Sequence, residues 1–153
     1  KPKKPRPSLH FLAWVVRDVA GRIALNHQQD KGVWRDLWVP PLMAVAPDDQ
    51  FDSKAGFAAA LSQLTASVGI LGNLDENGLW RQYKALSVQP WLIHELTHRK
   101  MHFKVLFVQL NRNESDLQDL REVAVPRVVH KLIEHAEAGL TQASVAHQNA
   151  LDF

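Results

Sequence analysis

The stretch WLIHELTHRKMHFKVLFVQL, Trp91 to Leu110, decides the fold. It supports two incompatible structures. His94-Glu95-Leu96-Thr97-His98 matches the H-E-x-x-H pattern, in which two imidazoles on one helical face bind zinc and the glutamate activates water. That chemistry requires a helix. A helix here would align Leu92, Ile93 and Leu96, and its apolar stripe would break at Arg99 and Lys100. The residues that follow, Phe103, Val105, Phe107 and Val108, are β-branched or aromatic. Pro90 and Trp91 precede the motif. Two strands joined by a short turn therefore fit Trp91–Leu110 better than a metal-binding helix, for which Glu114 or Glu122 would be the third ligand.

Working outward, Met101–Leu110 is the strongest strand and Trp91 to about Thr97 its partner. Leu79–Leu86 also reads as a strand. Ser53–Val68 is the clearest helix: Phe57, Leu61, Leu64 and Val68 recur at spacings of four, three and four, Asp52 or Ser53 can cap it, and Gly69 follows. Leu9–Val16 is apolar and β-rich. Asp18–Gly21 supplies turn residues, and Arg22–Asn26 resumes, which predicts a hairpin. Pro40 and Pro41 forbid an interior strand at their positions. A second helix is expected from Pro126 to Gly139, packing through Val129, Leu132, Ile133 and Ala136. Strands followed and interrupted by helices predict one α+β domain with a mixed sheet. Residues 140–153 are weakly patterned and read as a tail.

The chain has 153 residues, of which 46% are apolar, enough for one domain with a real core. It contains no cysteine, which excludes disulfides, thiolate metal sites and a cysteine nucleophile within it. An intracellular, reducing compartment is the natural reading, and no apolar run is long enough to span a bilayer. The net charge of +2 is unevenly placed. Lys1–Pro7 holds three Lys, one Arg and no acid, so the remainder carries −2. These seven residues alternate with prolines and read as an extended basic linker, the kind that joins two domains. Between Asn77 and Asn113 lie six Lys or Arg against one acid, Glu95, with His94, His98 and His102 among them. Such a local positive field suits phosphate contacts.

Three segments together resemble the C-terminal domain of the MutY family of adenine DNA glycosylases. Lys31-Gly32-Val33-Trp34, with Leu37-Trp38 and Pro40, is similar to that domain's G-L-W-x-x-L-W-x-F-P segment. Leu96-Thr97-His98-Arg99-Lys100-Met101-His102 is similar to its F-[ST]-H-x-x-[LF]-H segment. Val123-Ala124-Val125-Pro126-Arg127 is similar to its A-x-P-R helix start. Order and spacing agree over most of residues 9–139. The resemblance implies a Nudix-like α+β fold over residues 8–139 without a working Nudix box. Consistent with that, Ser53–Val68 contains no Asp or Glu to cage a divalent cation, as a Nudix-type pyrophosphohydrolase would need. It also implies a non-catalytic module that recognises 8-oxoguanine opposite adenine in duplex DNA, in the cytoplasm of a bacterium. The glycosidic cut, and the iron–sulfur cluster, would belong to an N-terminal catalytic domain of the same protein; no cofactor is expected in this chain.

The resemblance also assigns residues. 8-Oxoguanine carries a hydrogen on N7 and a carbonyl oxygen on C8, whereas guanine N7 is an acceptor. A hydroxyl can accept from the first and donate toward the second. Thr97 stands where the family has its Ser or Thr, so it is expected to read the lesion. His98 is expected to approach the lesion's backbone or to brace the turn, and Leu96, replacing the family's aromatic residue, to offer aliphatic contact. Arg99, Lys100, Lys31 and Arg35 are expected at DNA phosphates, with Lys3 and Lys4 following the duplex from the linker. Trp38 is expected in the core beneath a loop and His102 on a strand face.

Overall fold

In a computed structural model, the residues described are 8–29, 32, 34–47, 51, 53–68 and 76–138. The basic linker, Gly69, Gly139 and the expected tail lie outside them, as do the side chains of Leu64 and Val68. The ordered elements are β1 (Ser8–Arg17), β2 (Asn26–His27), β3 (Trp38–Val39), β4 (Leu42–Val45), α1 (Lys54–Val68), α2 (Glu76–Ser87), β5 (Leu92–Glu95) and β6 (Lys100–Gln109). A third helix, α3, runs through residues 127–138.

The main sheet has the order β4-β1-β6-β5. Its two long central strands, β1 and β6, run parallel in unbroken register from Ser8↔Lys100 to Arg17↔Gln109. The two outer strands, β4 and β5, pair antiparallel with them. Central strands with both faces covered need near-continuous apolar sequence, and FLAWVV and VLFV supply it. Alternation then sorts the side chains. Ala13, Val15, Met101, Phe103, Val105 and Phe107 face α3, which contributes Val128, Val129, Leu132, Ile133 and Ala136. Leu12, Trp14, Val16, Leu106 and Leu110 face α1 and α2, which contribute Phe57, Leu61, Leu79 and Tyr83. The sheet is thus the middle layer of three. No helix among the described residues is long and apolar enough to cross a membrane.

Two expectations are corrected. Leu79–Leu86 is not a strand; it forms most of α2. Leu79 and Tyr83, four apart, are buried against the core, with Trp80 and Leu86 beside them, which is a helical stripe. The segment has no β-branched residue, Glu76 stands in its first turn and Lys84 in its last, and both charges suit the helix dipole. The expected hairpin of β1 with Arg22–Asn26 is also curtailed. The chain does turn at Asp18–Gly21, but only the single bridge Arg17↔Ile23 forms there, and Ile23 bridges Gln118 as well. The long partner of β1 is β6 instead.

Other expectations hold. Ser53 caps α1, its Oγ accepting from the Gly56 amide at 3.1 Å. The helix near Pro126 forms one residue later, at 127, with the Pro126 carbonyl accepting from the Val129 amide. No strand forms at the prolines, as expected, although the Pro41 carbonyl accepts from the Trp14 amide at 3.1 Å and the short edge strand β4, not anticipated, begins directly after them.

One polar knot fixes the end of β1. Asp18 is buried and accepts from the Ala20 and Arg22 amides, the Arg22 guanidinium and the Glu114 amide at 2.8–3.2 Å. Burial alone would raise its carboxyl. The hydrogen bonds from Arg22 and Glu114 outweigh that and hold it below the ordinary carboxylate value.

Candidate nucleic-acid interface

Residues 92–103 form a β-hairpin. Leu92, Ile93, His94 and Glu95 face Phe103, His102, Met101 and Lys100 in register. Leu96 donates its amide to the Arg99 carbonyl at 2.8 Å, and Arg99 returns a longer bond at 3.4 Å. Thr97 and His98 are therefore the apex, and both are exposed, as is Arg99. Since the segment is extended, His94 lies on a strand and His98 in the turn. The helical face that the H-E-x-x-H reading demands does not form. No group of three His, Cys, Asp or Glu suited to a metal ion occurs among the described residues.

Strand alternation decides where each hairpin side chain goes. Leu92 and Leu96 pack onto the cluster beneath α3. Leu96 is thus an anchor for the turn, with only part of its surface left to offer a ligand. His94 lies on the same face, its Nδ1 3.5 Å from the Lys131 Nζ of α3. Burial, then Lys131 and Arg127, hold its imidazole below the ordinary histidine value. Glu95 and Lys100 face the other way and pair at 3.4 Å. The one acid in the basic stretch is therefore set against Lys100, whose charge is partly engaged.

The three segments that carried the family resemblance converge at this end of the molecule. The Trp38 amide donates to the Ala124 carbonyl at 2.8 Å, joining the tryptophan loop to the start of α3. Trp34, Trp38, Leu92, Leu96, Val123 and Val125 all pack against one core cluster. Trp38 is half-buried on β3 and stacks on the exposed His27 of β2, with ring centroids 5.0 Å apart, so it edges the core rather than filling it beneath a loop. The loop between Gln28 and Trp38 closes on itself through Asp36, which donates to the Gln28 carbonyl at 2.7 Å from a left-handed conformation (φ 66°). Asp is among the few residues that tolerate that region. Arg35 is exposed beside it, whereas Lys31, Lys3 and Lys4 lie outside the described residues.

The opposite face of the sheet carries a separate aromatic group. His10 and His102 stack at 4.3 Å, Trp91 meets His10 edge-on, and the Lys104 ammonium lies 4.6 Å from the centre of the Trp91 ring. His102 is thus on a strand face, as expected. Burial lowers Lys104 from its ordinary value, and burial followed by His102 lowers His10. Sequence reasoning missed this group because its members come from three strand segments far apart in the chain. It also missed Arg127 and Lys131 as neighbours of His94. Their spacing of four in a helix was the available signal for an exposed pair, but not for what they would face.

A mixed four-stranded sheet between helices, with this connectivity, defines the class: an α+β, Nudix-like domain. The C-terminal domain of mouse MUTYH, solved in complex with human PCNA, aligns with a TM-score of 0.55 and 17% identity, covering 85% of this chain and 88% of that one. The MutT protein of Methanosarcina mazei aligns with a TM-score of 0.51 and 15% identity, covering 89% and 97%. At such identities the likeness is one of fold. No protein-family model and no curated protein sequence matches.

Proposed function

We propose that this chain is a DNA-binding, lesion-reading domain of the MutY type, which recognises 8-oxoguanine opposite adenine and cuts no bond itself. The observation that carries the reading is the hairpin apex. Thr97 and His98 stand exposed on a two-residue turn, with Arg99 exposed at its base, and Leu96 anchors the turn to the core. A hydroxyl presented this way can accept from N7–H of the lesion and donate toward O8. His98 and Arg99, next to it, suit the flanking phosphates. Lys100 contributes less, being paired with Glu95. Arg35 stands on the loop tied to the start of α3, and Lys31, Lys3 and Lys4 would extend the contact along the backbone.

The alternative, Nudix-type hydrolysis, is not supported by the chain's residues, since α1 carries no carboxylate to hold a divalent cation. On the proposed reading the adenine is extruded into a separate catalytic domain of the parent protein, where its glycosidic bond is cut. That domain would also hold the iron–sulfur cluster.

The test is equilibrium binding of the chain to duplexes that differ only in 8-oxoguanine or guanine opposite adenine. One neutral hydrogen bond is worth about 0.5–1.5 kcal/mol net, so a preference of roughly two- to twelvefold is expected. Thr97→Ala should abolish it and Thr97→Ser should keep it. A preference unchanged in Thr97→Ala would rule out the assignment.

A further inference from the structure

His94, Arg127 and Lys131 form a second group of cationic and imidazole side chains, separate from the apex. Arg127 and Lys131 are exposed and four residues apart on α3, hence neighbours on one helical face. Lys131 approaches the His94 ring to 3.5 Å. Like-charged neighbours at this spacing are unfavourable, and protein surfaces ordinarily intersperse acids among them. Here they do not. Among the described residues no carboxylate forms an ion pair with Arg127 or Lys131. Two other acids are engaged elsewhere: Glu137 reaches Arg17 at 2.8 Å and Glu95 reaches Lys100. Facing His94, α3 brings Arg127 and Lys131, and the residue across the hairpin is Met101, which carries no charge.

We infer that His94, Arg127 and Lys131 bind a backbone phosphodiester of duplex DNA, one hairpin length from the apex. This rests on the DNA-binding reading and extends it from the lesion to the flanking strand. An anion seated among the three relieves the repulsion between Arg127 and Lys131. It also favours the charged imidazole, so that binding draws a proton onto His94 and tightens as pH falls. The hydrogen bond from Lys131 is then replaced by one to the phosphate, and His94 becomes a donor as well.

The experiment uses the whole chain and a lesion-free duplex, with affinity measured over a salt series and at two pH values. Each phosphate contact contributes about −0.9 to the slope of log K against log salt. Arg127→Ala with Lys131→Ala should lower the slope by about 0.9 and weaken binding severalfold at moderate salt. Lys131→Arg should keep the native slope. His94→Gln should reduce the tightening between about pH 7.5 and pH 6. Circular dichroism confirms that each variant is folded. A native slope in the double variant overturns this inference and leaves the apex reading intact. Displacement of the duplex by inorganic phosphate at matched ionic strength also overturns it, by assigning the site to a free anion. Failure of the native chain to bind any duplex overturns both readings together.

Discussion

The side chains proposed to read a ligand and those that hold the fold are different residues. Thr97 touches nothing that the core needs, so Thr97→Ala should leave the urea midpoint unchanged while removing lesion preference. Asp18 is the reverse case. Its buried carboxylate satisfies donors from two segments. Asp18→Ala would leave those donors and Arg22 without their partner, at a cost of about 3 kcal/mol in denaturant unfolding. Because its folded-state acidity is raised, that stabilisation is present above the ordinary carboxylate pKa and is lost as pH falls through the lower folded value. The stability gap between the native chain and Asp18→Asn should therefore narrow between about pH 6 and pH 2. A gap constant across that range would assign the Asp18 contribution to shape rather than charge. The importance of Asp18 was only half legible: a turn residue was evident at its position, but its partner at Glu114 lies 96 positions away.

Elements were legible where local pattern and tertiary demand agree. Long apolar, β-branched runs gave β1 and β6, and a capped stripe gave α1. The failure at α2 is instructive. Leu79, Trp80 and Tyr83 are aromatic or apolar enough to suit a strand, yet they share a helical face. What decides the matter is an interaction no propensity reveals. Gln82 donates from Nε2 to the Phe107 carbonyl at 3.1 Å, and its Oε1 accepts from the Phe107 amide at 2.6 Å. The side chain takes the place of a neighbouring strand where β5 has ended and the edge of β6 is bare. The Lys104 ammonium adds a bond to the Ser87 carbonyl at the end of the helix. Gln82→Leu should expose that edge and cost about 1–3 kcal/mol, with faster amide exchange at Phe107 than at Phe103. Equal exchange at the two amides would deny α2 this role. The hairpin of β5 and β6 was legible for the opposite reason: Arg99 and Lys100 break the helical stripe just where the strands must turn.

For the whole molecule, charge placement matters more than net charge. Outside the first seven residues the chain is slightly acidic, yet one end gathers Arg35, His94, His98, Arg99, Arg127 and Lys131. Binding to lesion-free duplex should accordingly be weak and fall steeply with salt, since such contacts act through counterion release. Binding that is insensitive to salt would be inconsistent with this arrangement. The convergence of the tryptophan loop, the hairpin and the start of α3 was not readable from any one of them. Each is a short motif, and only the bond from Trp38 to Ala124 and a shared core cluster bring them to one place.

The most direct test is to follow the backbone amides of the chain by NMR while adding, in parallel, duplexes with 8-oxoguanine or guanine opposite adenine. Shifts common to both should appear around His94, Arg99, Arg127 and Lys131, and those that differ between the duplexes should be confined to Leu96–His98. Lesion-dependent shifts centred instead on His10, Trp91 and His102, on the far side of the sheet, would contradict the account.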